Sequence, residues 1–200
     1  MELFTSQGCS SCPPADRVIS QLAERPDVVA LSFHVDYWDN IGWPDRFANP
    51  DSRTRQQGYR KALHKTQIYT PQMVINGAAE LPGQTLGSVD SALSSVRAGM
   101  PRGPALSLAR GADTTLTVRV GAAPVATDNA VVWMAAFDQS RTVAVQRGEN
   151  RGRTLVNVNV VRQLRNIGRY EGQAWTTEVD LSALDLGQGI AVWVQPAGQG

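Results

Sequence analysis

The sequence predicts an α/β domain over residues 1–100, followed by an all-β antiparallel sandwich over residues 101–200. Three observations support this prediction. About 35 residues at the start read as strand, helix and strand, which is the order of a parallel βαβ unit. Gly99–Pro104 has the glycine and proline content of a linker. Beyond it, about seven short apolar or alternating runs are separated by turn-forming residues, as in a β-sandwich.

In the first domain, hydrophobic spacing and turn formers define the elements. Glu2–Thr5 is a short apolar strand that ends in a glycine-containing turn, and Pro13 opens a segment with apolar residues at helical spacing. Val28–Val35 is almost continuously apolar, which is typical of a parallel strand covered on both faces. Further along we expect a polar helix over 51–65, a strand at 72–75 closed by an Asn-Gly turn, and a helix over 88–98.

In the second domain, we expect strands where apolar or alternating residues lie between turn formers. These runs are Leu106–Leu108, Thr115–Val120, Val131–Phe137, Thr142–Val145, Leu155–Val161, Trp175–Val179 and Ile190–Val194. Gly148–Arg153 has the composition of a tight hairpin turn. This half contains no set of nucleophile, base and orienting residue, so we expect it to cover the site or to present substrate to it.

The overall composition argues against several classes of function. Nineteen basic and 18 acidic side chains leave a net charge of +1, which provides no general attraction to nucleic acid or anionic lipid. No run approaches the ~18 apolar residues of a membrane span. The buried first strand has almost nothing before it, so we expect a mature form from which a leader has been removed. Two cysteines cannot build a disulfide framework, and the core must come from packing.

The two cysteines form a CxxC motif, Cys9-Ser10-Ser11-Cys12. Random placement would give this spacing for roughly one pair in a hundred. The motif lies between a strand and a helix, where unpaired backbone N–H groups and the positive end of the helix dipole stabilise a thiolate. We therefore expect Cys9 to be the accessible attacking sulfur, with a pKa below the ~8.5 of a free thiol. Cys12 is expected to resolve the mixed disulfide from the packed side.

Several segments carry a resemblance to known proteins. A CxxC at a strand-to-helix turn, a second strand, and a proline that enters a later strand together resemble the thioredoxin superfamily. More closely, four segments resemble the domain-of-unknown-function 1223 family: Glu2–Asp16, His34–Asp39, Tyr69–Gln72 and Gly148–Gly152. The resemblance covers nearly the whole chain. It implies a thioredoxin-like domain followed by a β-rich one, and a periplasmic or secreted location, with a cytoplasmic location as the alternative. It implies no particular reaction.

The resemblance also implies roles for individual residues. Pro71 corresponds to a cis-proline beside the dithiol, with an ordinary trans proline opening an edge strand as the alternative. The backbone of Thr70 is then placed to pair with an extended substrate peptide. Glu2 is a candidate for the buried proton acceptor, although it is one position out of register, and a solvated strand end is the other interpretation. Gly8 stands where a tryptophan usually precedes the motif, and Ser10-Ser11 leaves the redox direction open.

Both the CxxC turn and the segment after the second strand leave the sheet at the carboxyl ends of parallel strands, so we expect them to be neighbours. Tyr37, Trp38 and Trp43 are candidates for an apolar, substrate-binding cover over the dithiol, or for a plug between the domains. Asp36 and Asp39 are candidates for a proton relay to the resolving cysteine, or for caps of the following helix.

His34 supports an alternative to redox chemistry. With Cys9 and Cys12 it makes a soft three-ligand set suited to Cu(I), although copper-delivery proteins on similar folds resemble CxxxC rather than CxxC. A histidine within a strand run is also typical of a packed core residue. Structural zinc lacks a fourth ligand, because His64 lies on a separate polar helix.

From these observations we predict a thiol–disulfide oxidoreductase that acts on a protein or a small thiol partner and needs no cofactor. Its catalytic residues would be Cys9, Cys12 and Pro71. One alternative is a Cu(I)-binding or copper-site assembly protein, with copper held by Cys9, Cys12 and His34. Another is a module in which the disulfide is only structural.

Overall fold

The computed structural model describes residues 1–111, 114–125, 129–182, 184 and 189–200. Within these ranges the chain is mainly β, with three helices. The strands are β1 (Glu2–Thr5), β2 (Leu31–His34), β3 (Gln72–Ile75), β4 (Ala79–Leu81), β5 (Leu106–Arg110), β6 (Thr115–Val120), β7 (Ala130–Ala144), β8 (Thr154–Tyr170), β9 (Trp175–Asp180) and β10 (Gly189–Pro196). The helices are α1 (Pro13–Ala23), α2 (Pro50–Ala62) and α3 (Leu86–Gly99).

The sheet topology corrects the predicted fold class. Seven strands form one mixed sheet in the order β10-β7-β8-β2-β1-β3-β4, while β5, β6 and β9 form a three-stranded sheet. The prediction of a thioredoxin-like α/β domain followed by a separate antiparallel sandwich is therefore wrong, because β7, β8 and β10 continue the sheet that β1 to β4 begin. The domain boundary near residue 100 stays a prediction.

The junction between the two halves is the contact of β2 with β8. Ser32 pairs with Val160 in parallel, and the Ser32 hydroxyl donates to the carbonyl oxygen of Val158 at 2.7 Å. Asn159 Nδ2 donates to the carbonyl oxygen of Ala30 at 2.8 Å. The alternation of side chains along a strand indicates which face is buried but not which strand is its neighbour. This long-range pairing was therefore not predictable from the local pattern.

The large sheet is covered on both faces, and the alternation along β1 shows how. Leu3 packs with α1 and α3 on one face, while Phe4 packs with Tyr59 of α2 on the other. Both side chains are fully buried. The three-stranded sheet packs its apolar side, including Val118, against residues of β7 and β8. All three helices were predicted, with ends that differ by a few residues.

The carboxyl ends of β1 and β2 meet at one edge of the sheet, where Thr5 pairs with His34. The CxxC turn follows β1 at this edge. The hairpin between β7 and β8, predicted at Gly148–Arg153, folds back to the same place, and its closure includes a hydrogen bond from Gly152 N to Val145 O at 2.8 Å. No helix in the described part of the chain has both the length and the hydropathy needed to cross a membrane.

Candidate functional site

The two cysteines form a disulfide at the end of β1. The Cα atoms of Cys9 and Cys12 are 5.4 Å apart, and both residues are 0% exposed. The expectation that Cys9 is accessible is therefore wrong for the oxidised protein. Ser10 and Ser11, which lie between the cysteines, are exposed, and Ser11 Oγ is 3.4 Å from Cys9 Sγ. The surface of the turn faces solvent while its sulfur atoms lie underneath.

The start of α1 offers fewer backbone donors than the sequence analysis assumes. Cys12 is the N-cap residue, and Pro13 and Pro14 are the first two residues of the helix. Proline has no N–H group, so two donors that a helix N-terminus normally leaves free are missing. The N–H of Cys12 is engaged with Cys9 O at 3.2 Å. A Cys9 thiolate would therefore depend more on the helix dipole than on direct hydrogen bonds.

Asp16 is an acidic group near the disulfide that the sequence analysis missed. It lies one helical turn after Cys12, with its backbone N–H bonded to Cys12 O at 3.1 Å. Residues four apart share a helix face. The hydroxyl of Thr5 donates to Asp16 Oδ1 at 2.7 Å. Burial raises the pKa of Asp16 to about 6, although the hydrogen bond from Thr5 and the nearby His34 act to lower it. Asp16 can therefore exchange a proton near neutral pH.

His34 and Asp45 form a buried pair beside this acid. Their side chains are 1% and 0% exposed, with Nδ1 and Oδ2 2.6 Å apart. Burial acts to lower the pKa of His34, but the Asp45 carboxylate outweighs it and raises that pKa. Burial acts to raise the pKa of Asp45, but His34 and two backbone N–H groups outweigh it and lower that pKa. One of these N–H groups belongs to Gln7, at 2.8 Å, so the pair anchors the residues before Cys9.

The tip of the β7–β8 hairpin holds the CxxC turn from the other side. Asn150 is 0% exposed, and its Nδ2 donates to Gln7 O at 2.9 Å and to Cys9 O at 2.8 Å. The Glu149 carboxylate accepts from Ser10 N at 3.3 Å. Asn150 Oδ1 is buried without a hydrogen-bond partner among the described residues. These contacts join segments about 140 positions apart. They clamp the turn in its oxidised geometry.

Trp38 and Trp43, two of the predicted cover residues, do contact the segment around the motif. A Cβ at Gly8 would lie 3.1 Å from Trp38 Cβ, so a larger residue before Cys9 would require Trp38 to move by a few tenths of an ångström. Trp43 Nε1 donates to Gln7 Oε1 at 3.0 Å. Trp43 also packs against buried residues of β7 and β8, which is consistent with the predicted plug as well. Trp43 therefore contacts both the CxxC segment, as a cover would, and the buried residues of β7 and β8, as a plug would.

Trp38 also connects the CxxC turn with the predicted proline loop. Its Nε1 donates to Thr70 Oγ1 at 2.7 Å. The Thr70–Pro71 peptide bond is cis, as the resemblance implied. A chain of contacts therefore runs from Gly8 through Trp38 to Thr70. On the far side of the motif, Gln84 Nε2 donates to Ser11 O at 2.8 Å.

The other candidates after β2 are Tyr37, Asp36 and Asp39, and their hydrogen bonds and ion pairs are with residues outside the CxxC turn. Tyr37 donates its hydroxyl to Gln56 of α2 at 3.2 Å, and burial raises its pKa to about 12. Asp36 faces Arg53 of α2, with 3.4 Å between Oδ1 and Nε. Asp39 Oδ1 accepts from Asp45 N at 2.9 Å. Neither aspartate forms a hydrogen bond with a cysteine among the described residues, so no contact supports the predicted proton relay.

Glu2 occupies the opposite end of β1 from the motif. It lies three residue steps along the strand from Thr5, a distance of ~10 Å. Its carboxylate is buried against Arg55 Nε and Nη2, the latter at 2.8 Å, and accepts from the Tyr59 hydroxyl at 2.5 Å. Burial acts to raise the pKa of Glu2, but Arg55 outweighs it and lowers that pKa. Glu2 is neither the solvated strand end nor a neighbour of the disulfide.

For copper, the described residues bring together no group of three His, Cys, Asp or Glu side chains that could hold a metal. His34 directs Nδ1 to Asp45, while its Nε2 is buried with no hydrogen-bond partner in the described ranges. Both cysteine sulfurs are used in the disulfide. The copper alternative stays a prediction, and it concerns the reduced protein.

Asn150 and Asp45 are also residues that the sequence analysis missed. Asp16 had a readable signal, an acid four positions after a cysteine in an otherwise apolar helix face. Asn150 lies in the Gly148–Gly152 segment that carries the family resemblance, but nothing in that segment predicts its partners, which lie in the other half of the chain. The only sequence signal for Asp45 was its position in the segment that follows the second strand.

Comparisons with known proteins place the chain in a family. Its structure is similar to the crystal structure of a protein from Agrobacterium tumefaciens, with a TM-score of 0.78 and 32% identity over 90% of this chain and 77% of that chain. No match was found among curated proteins. A profile described as "Protein of unknown function (DUF1223)" matches residues 1–195, which confirms the resemblance read from the sequence. The chain belongs to the DUF1223 family.

Proposed function

We propose that this protein is a thiol–disulfide oxidoreductase whose reactive group is the Cys9–Cys12 pair. The observation that carries the proposal is the position of this disulfide at the start of α1, with Asp16 one turn further on and a pKa raised to about 6. A purely structural disulfide does not need an acid that titrates near neutral pH. Catalytic cysteines typically lie in such microenvironments.

The reaction is an exchange in which atoms and electrons balance. A substrate thiolate attacks one sulfur of the pair, the S–S bond breaks, and a mixed disulfide forms while the other sulfur leaves as a thiolate. A second substrate thiolate then displaces the protein sulfur, so that the substrate becomes a disulfide and the protein a dithiol. Two electrons pass from substrate to protein, and the reverse sequence returns them.

The residues around the pair have distinct parts in this exchange. Cys9 is the sulfur that joins the substrate, because it precedes α1 and is followed by the exposed Ser10 and Ser11, whereas Cys12 is the N-cap residue of the helix. Asp16 gives a proton to the Cys12 thiolate when the disulfide opens and takes it back when it closes. Asn150 is a positioning residue, because it acts through the carbonyl oxygen of Cys9.

The partner is a protein or a small thiol, and we propose that the exchange takes place in the periplasm or outside the cell. Disulfides persist in these oxidising compartments. The pair is buried when oxidised, so a substrate can react only when the turn opens locally. The proposal therefore includes slow opening of the clamp formed by Asn150 and Glu149.

One observation favours a second candidate function, a binding module with a structural disulfide. Both cysteines are fully buried, and the turn around them is fixed by bonds from Asn150, Glu149 and Gln84. In that case the disulfide would stabilise the fold and would not exchange under native conditions.

The experiment that separates the two candidates measures native reactivity. The oxidised protein is incubated with dithiothreitol and with glutathione, and the reduced protein is alkylated across a range of pH. We expect reduction without unfolding, faster alkylation of Cys9 than of Cys12, and an apparent Cys9 pKa below ~8.5. Loss of exchange in Cys9→Ser completes the expected result. A pair that reacts only after denaturation would establish the structural role.

A further inference from the structure

An open cleft lies directly beside the CxxC motif. It has a volume of about 660 Å³, and its lining includes Ser10, Pro13, Arg17, Arg153 and Leu155. Ser10 lies between the two cysteines, so a molecule bound in the cleft is adjacent to the motif. The cleft is formed by the start of α1 on one side and by the start of β8 on the other. Both halves of the chain therefore contribute to it.

Two arginines give this cleft its charge. Arg17 and Arg153 are exposed. Neither guanidinium donates a hydrogen bond within the described ranges, although Arg17 acts electrostatically on the Asp16 carboxyl. An arginine fork matches a carboxylate with two parallel hydrogen bonds, so free guanidinium groups on a cleft wall favour acidic partners. Arg147 and Arg151 are also exposed on the same hairpin.

Two acidic groups lie near the cleft. The Glu149 carboxylate keeps its charge while it accepts from the N–H of Ser10, and the Asp16 carboxyl interacts electrostatically with Arg17. Four exposed arginines, Arg17, Arg147, Arg151 and Arg153, outnumber these two acids, so the region stays net positive. The net charge of the whole chain is only +1, so the arginines on this cleft are a local feature of the surface. The positive end of the α1 dipole has the same sign and lies at the same place.

Resting on the proposed function, we propose that the cleft binds an acidic peptide segment of a thiol or disulfide protein substrate. Arg17 and Arg153 pair with aspartate or glutamate side chains that flank the substrate cysteine. Pro14, which is half-buried and lines the cleft, provides apolar surface for a neighbouring side chain. Bound in this way, the substrate sulfur is held above Ser10, where it meets Cys9 when the turn opens. The two arginines are specificity-determining residues and take no part in the exchange itself.

Stoichiometric exchange tests this inference. Three ten-residue peptides share two cysteines and differ only in flanking residues, which are glutamate, glutamine or lysine. At low ionic strength we expect the glutamate peptide to reduce the protein disulfide at least about tenfold faster than the lysine peptide. The difference should shrink to less than about threefold at 0.5 M NaCl, where charges are screened within a few ångströms. Equal rates for all three peptides would overturn the inference.

Charge reversal supplies the matched variants. In Arg17→Glu/Arg153→Glu the preference for glutamate peptide is expected to disappear or reverse. The ratio of the glutamate-peptide rate to the glutamine-peptide rate is expected to fall to one or below, and the lysine peptide is expected to react faster than the glutamate peptide. The control, Arg110→Glu/Arg119→Glu, changes the net charge equally but lies on β5 and β6, away from the motif. It should keep the preference. Loss of the preference in the control, or its retention in the cleft variant, would contradict the assignment.

A binding measurement separates failure of this inference from failure of the proposed function. The glutamate peptide with serine in place of both cysteines is labelled, and its binding to the oxidised protein is followed by fluorescence anisotropy. Salt-sensitive binding that Arg17→Glu/Arg153→Glu abolishes supports the acidic-peptide site even if no exchange occurs. Exchange without such binding supports the proposed function and overturns the site.

Reduced glutathione distinguishes a peptide from a small anionic thiol. It carries carboxylates but offers only a short chain to the cleft. We expect it to react more slowly than the glutamate peptide at the same thiol concentration and to be insensitive to Arg17→Glu/Arg153→Glu. If it matches the peptide in rate and responds equally to the variant, the occupant is a small acidic thiol and the peptide assignment is wrong.

Discussion

The two ends of β1 carry two buried polar clusters of different character. At the amino end, the Glu2 carboxylate receives both Arg55 and Tyr59, and Arg55 also donates to Gln195 Oε1 at 2.9 Å. At the carboxyl end, Asp16, His34 and Asp45 surround the turn that holds the disulfide. The first cluster pairs its charges inside the core. The second includes an acid that titrates near neutral pH.

The comparison teaches that burial alone does not mark a functional acid. Glu2 is more completely paired, and its pKa is lowered because Arg55 outweighs burial. Asp16 receives one hydroxyl, and its pKa is raised because burial prevails. The decisive difference is the partner, a guanidinium in one case and a threonine hydroxyl in the other.

The largest effect is expected at the amino end, in Arg55→Met. Arg55 is 3% exposed, and its removal leaves the buried Glu2 carboxylate without its hydrogen-bonded guanidinium partner. We expect the free energy of unfolding in urea to fall by ~3–5 kcal/mol. Disulfide exchange in the folded fraction should stay within about twofold of wild type, because the clusters are distant. Arg110→Met on exposed β5 should change stability by less than ~0.5 kcal/mol. A loss of exchange without a loss of stability would show that Arg55 contributes to the reactivity of the disulfide and would contradict this separation.

A smaller effect on stability, with a larger one on reactivity, is expected in Asn150→Ala. Two hydrogen bonds to Gln7 O and Cys9 O are lost, at a cost of ~1–3 kcal/mol. Since the clamp opens more easily, reduction by dithiothreitol should be about tenfold faster. Asn157→Ala is the matched control, because Asn157 is also buried and donates to Arg141 O at 3.0 Å, away from the motif. Equally faster reduction of the disulfide in both variants would show that the hydrogen bonds of Asn150 do not control its reactivity.

Asp16→Asn tests the raised pKa. The folded protein binds the Asp16 proton more tightly than the unfolded chain, whose value is near 3.8, so the ionised form destabilises the fold as pH rises to about 6. At pH 7 the variant should therefore be more stable by ~1–2 kcal/mol, because each pKa unit corresponds to ~1.4 kcal/mol and partial exposure reduces it. The two proteins should converge near pH 4 in urea unfolding experiments.

Two further measurements complete the test of Asp16. The rate at which oxidised glutathione oxidises the reduced wild-type protein should rise through pH 6, where the ionised Asp16 carboxylate becomes able to take the proton from Cys12, and Asp16→Asn should lack this rise. Asp51→Asn, at an exposed position of α2, should leave both profiles unchanged. A variant that is less stable than wild type at pH 7 would show that the Asp16 carboxylate stabilises the fold and would contradict the account.

The smallest effect is expected in Glu149→Gln. The carboxylate lies at Ser10 N, next to the leading cysteine, and its negative charge opposes thiolate formation. We expect alkylation of Cys9 in the reduced protein to be about two- to threefold faster at pH 7, a modest change because the group is exposed. Glu178→Gln on β9 should have no effect. Slower alkylation in Glu149→Gln would indicate that its hydrogen bond matters more than its charge.

The sequence predicted local elements well and their assembly poorly. Glu2–Thr5 and Gln72–Ile75 are strands with the expected bounds. Val131–Phe137 and Thr142–Val145 were expected as two strands, but they form one, β7, because the polar residues between them are in extended conformation. The parallel pair of Ser32 with Val160 unites both halves and has no signal in either strand alone.

The same division applies to the site. The CxxC motif and Pro71 were recognisable because short spacing and a proline carry their own chemistry. The clamp was not, because the contact between Asn150 and Cys9 depends on where a hairpin lies after the whole sheet has assembled. Pro13 and Pro14 are visible in the sequence, but the predicted thiolate stabilisation did not allow for the two backbone N–H donors that these prolines lack.

The most direct test of the account traps the mixed disulfide in Cys12→Ser. In this variant Cys9 has no resolving partner, so exchange with oxidised glutathione must stop at a covalent adduct. We predict that native protein at neutral pH gains one glutathione on Cys9, measured by mass spectrometry of the intact protein and of its peptides. Formation of the adduct only after the protein is unfolded would contradict the claim that this end of β1 is reactive.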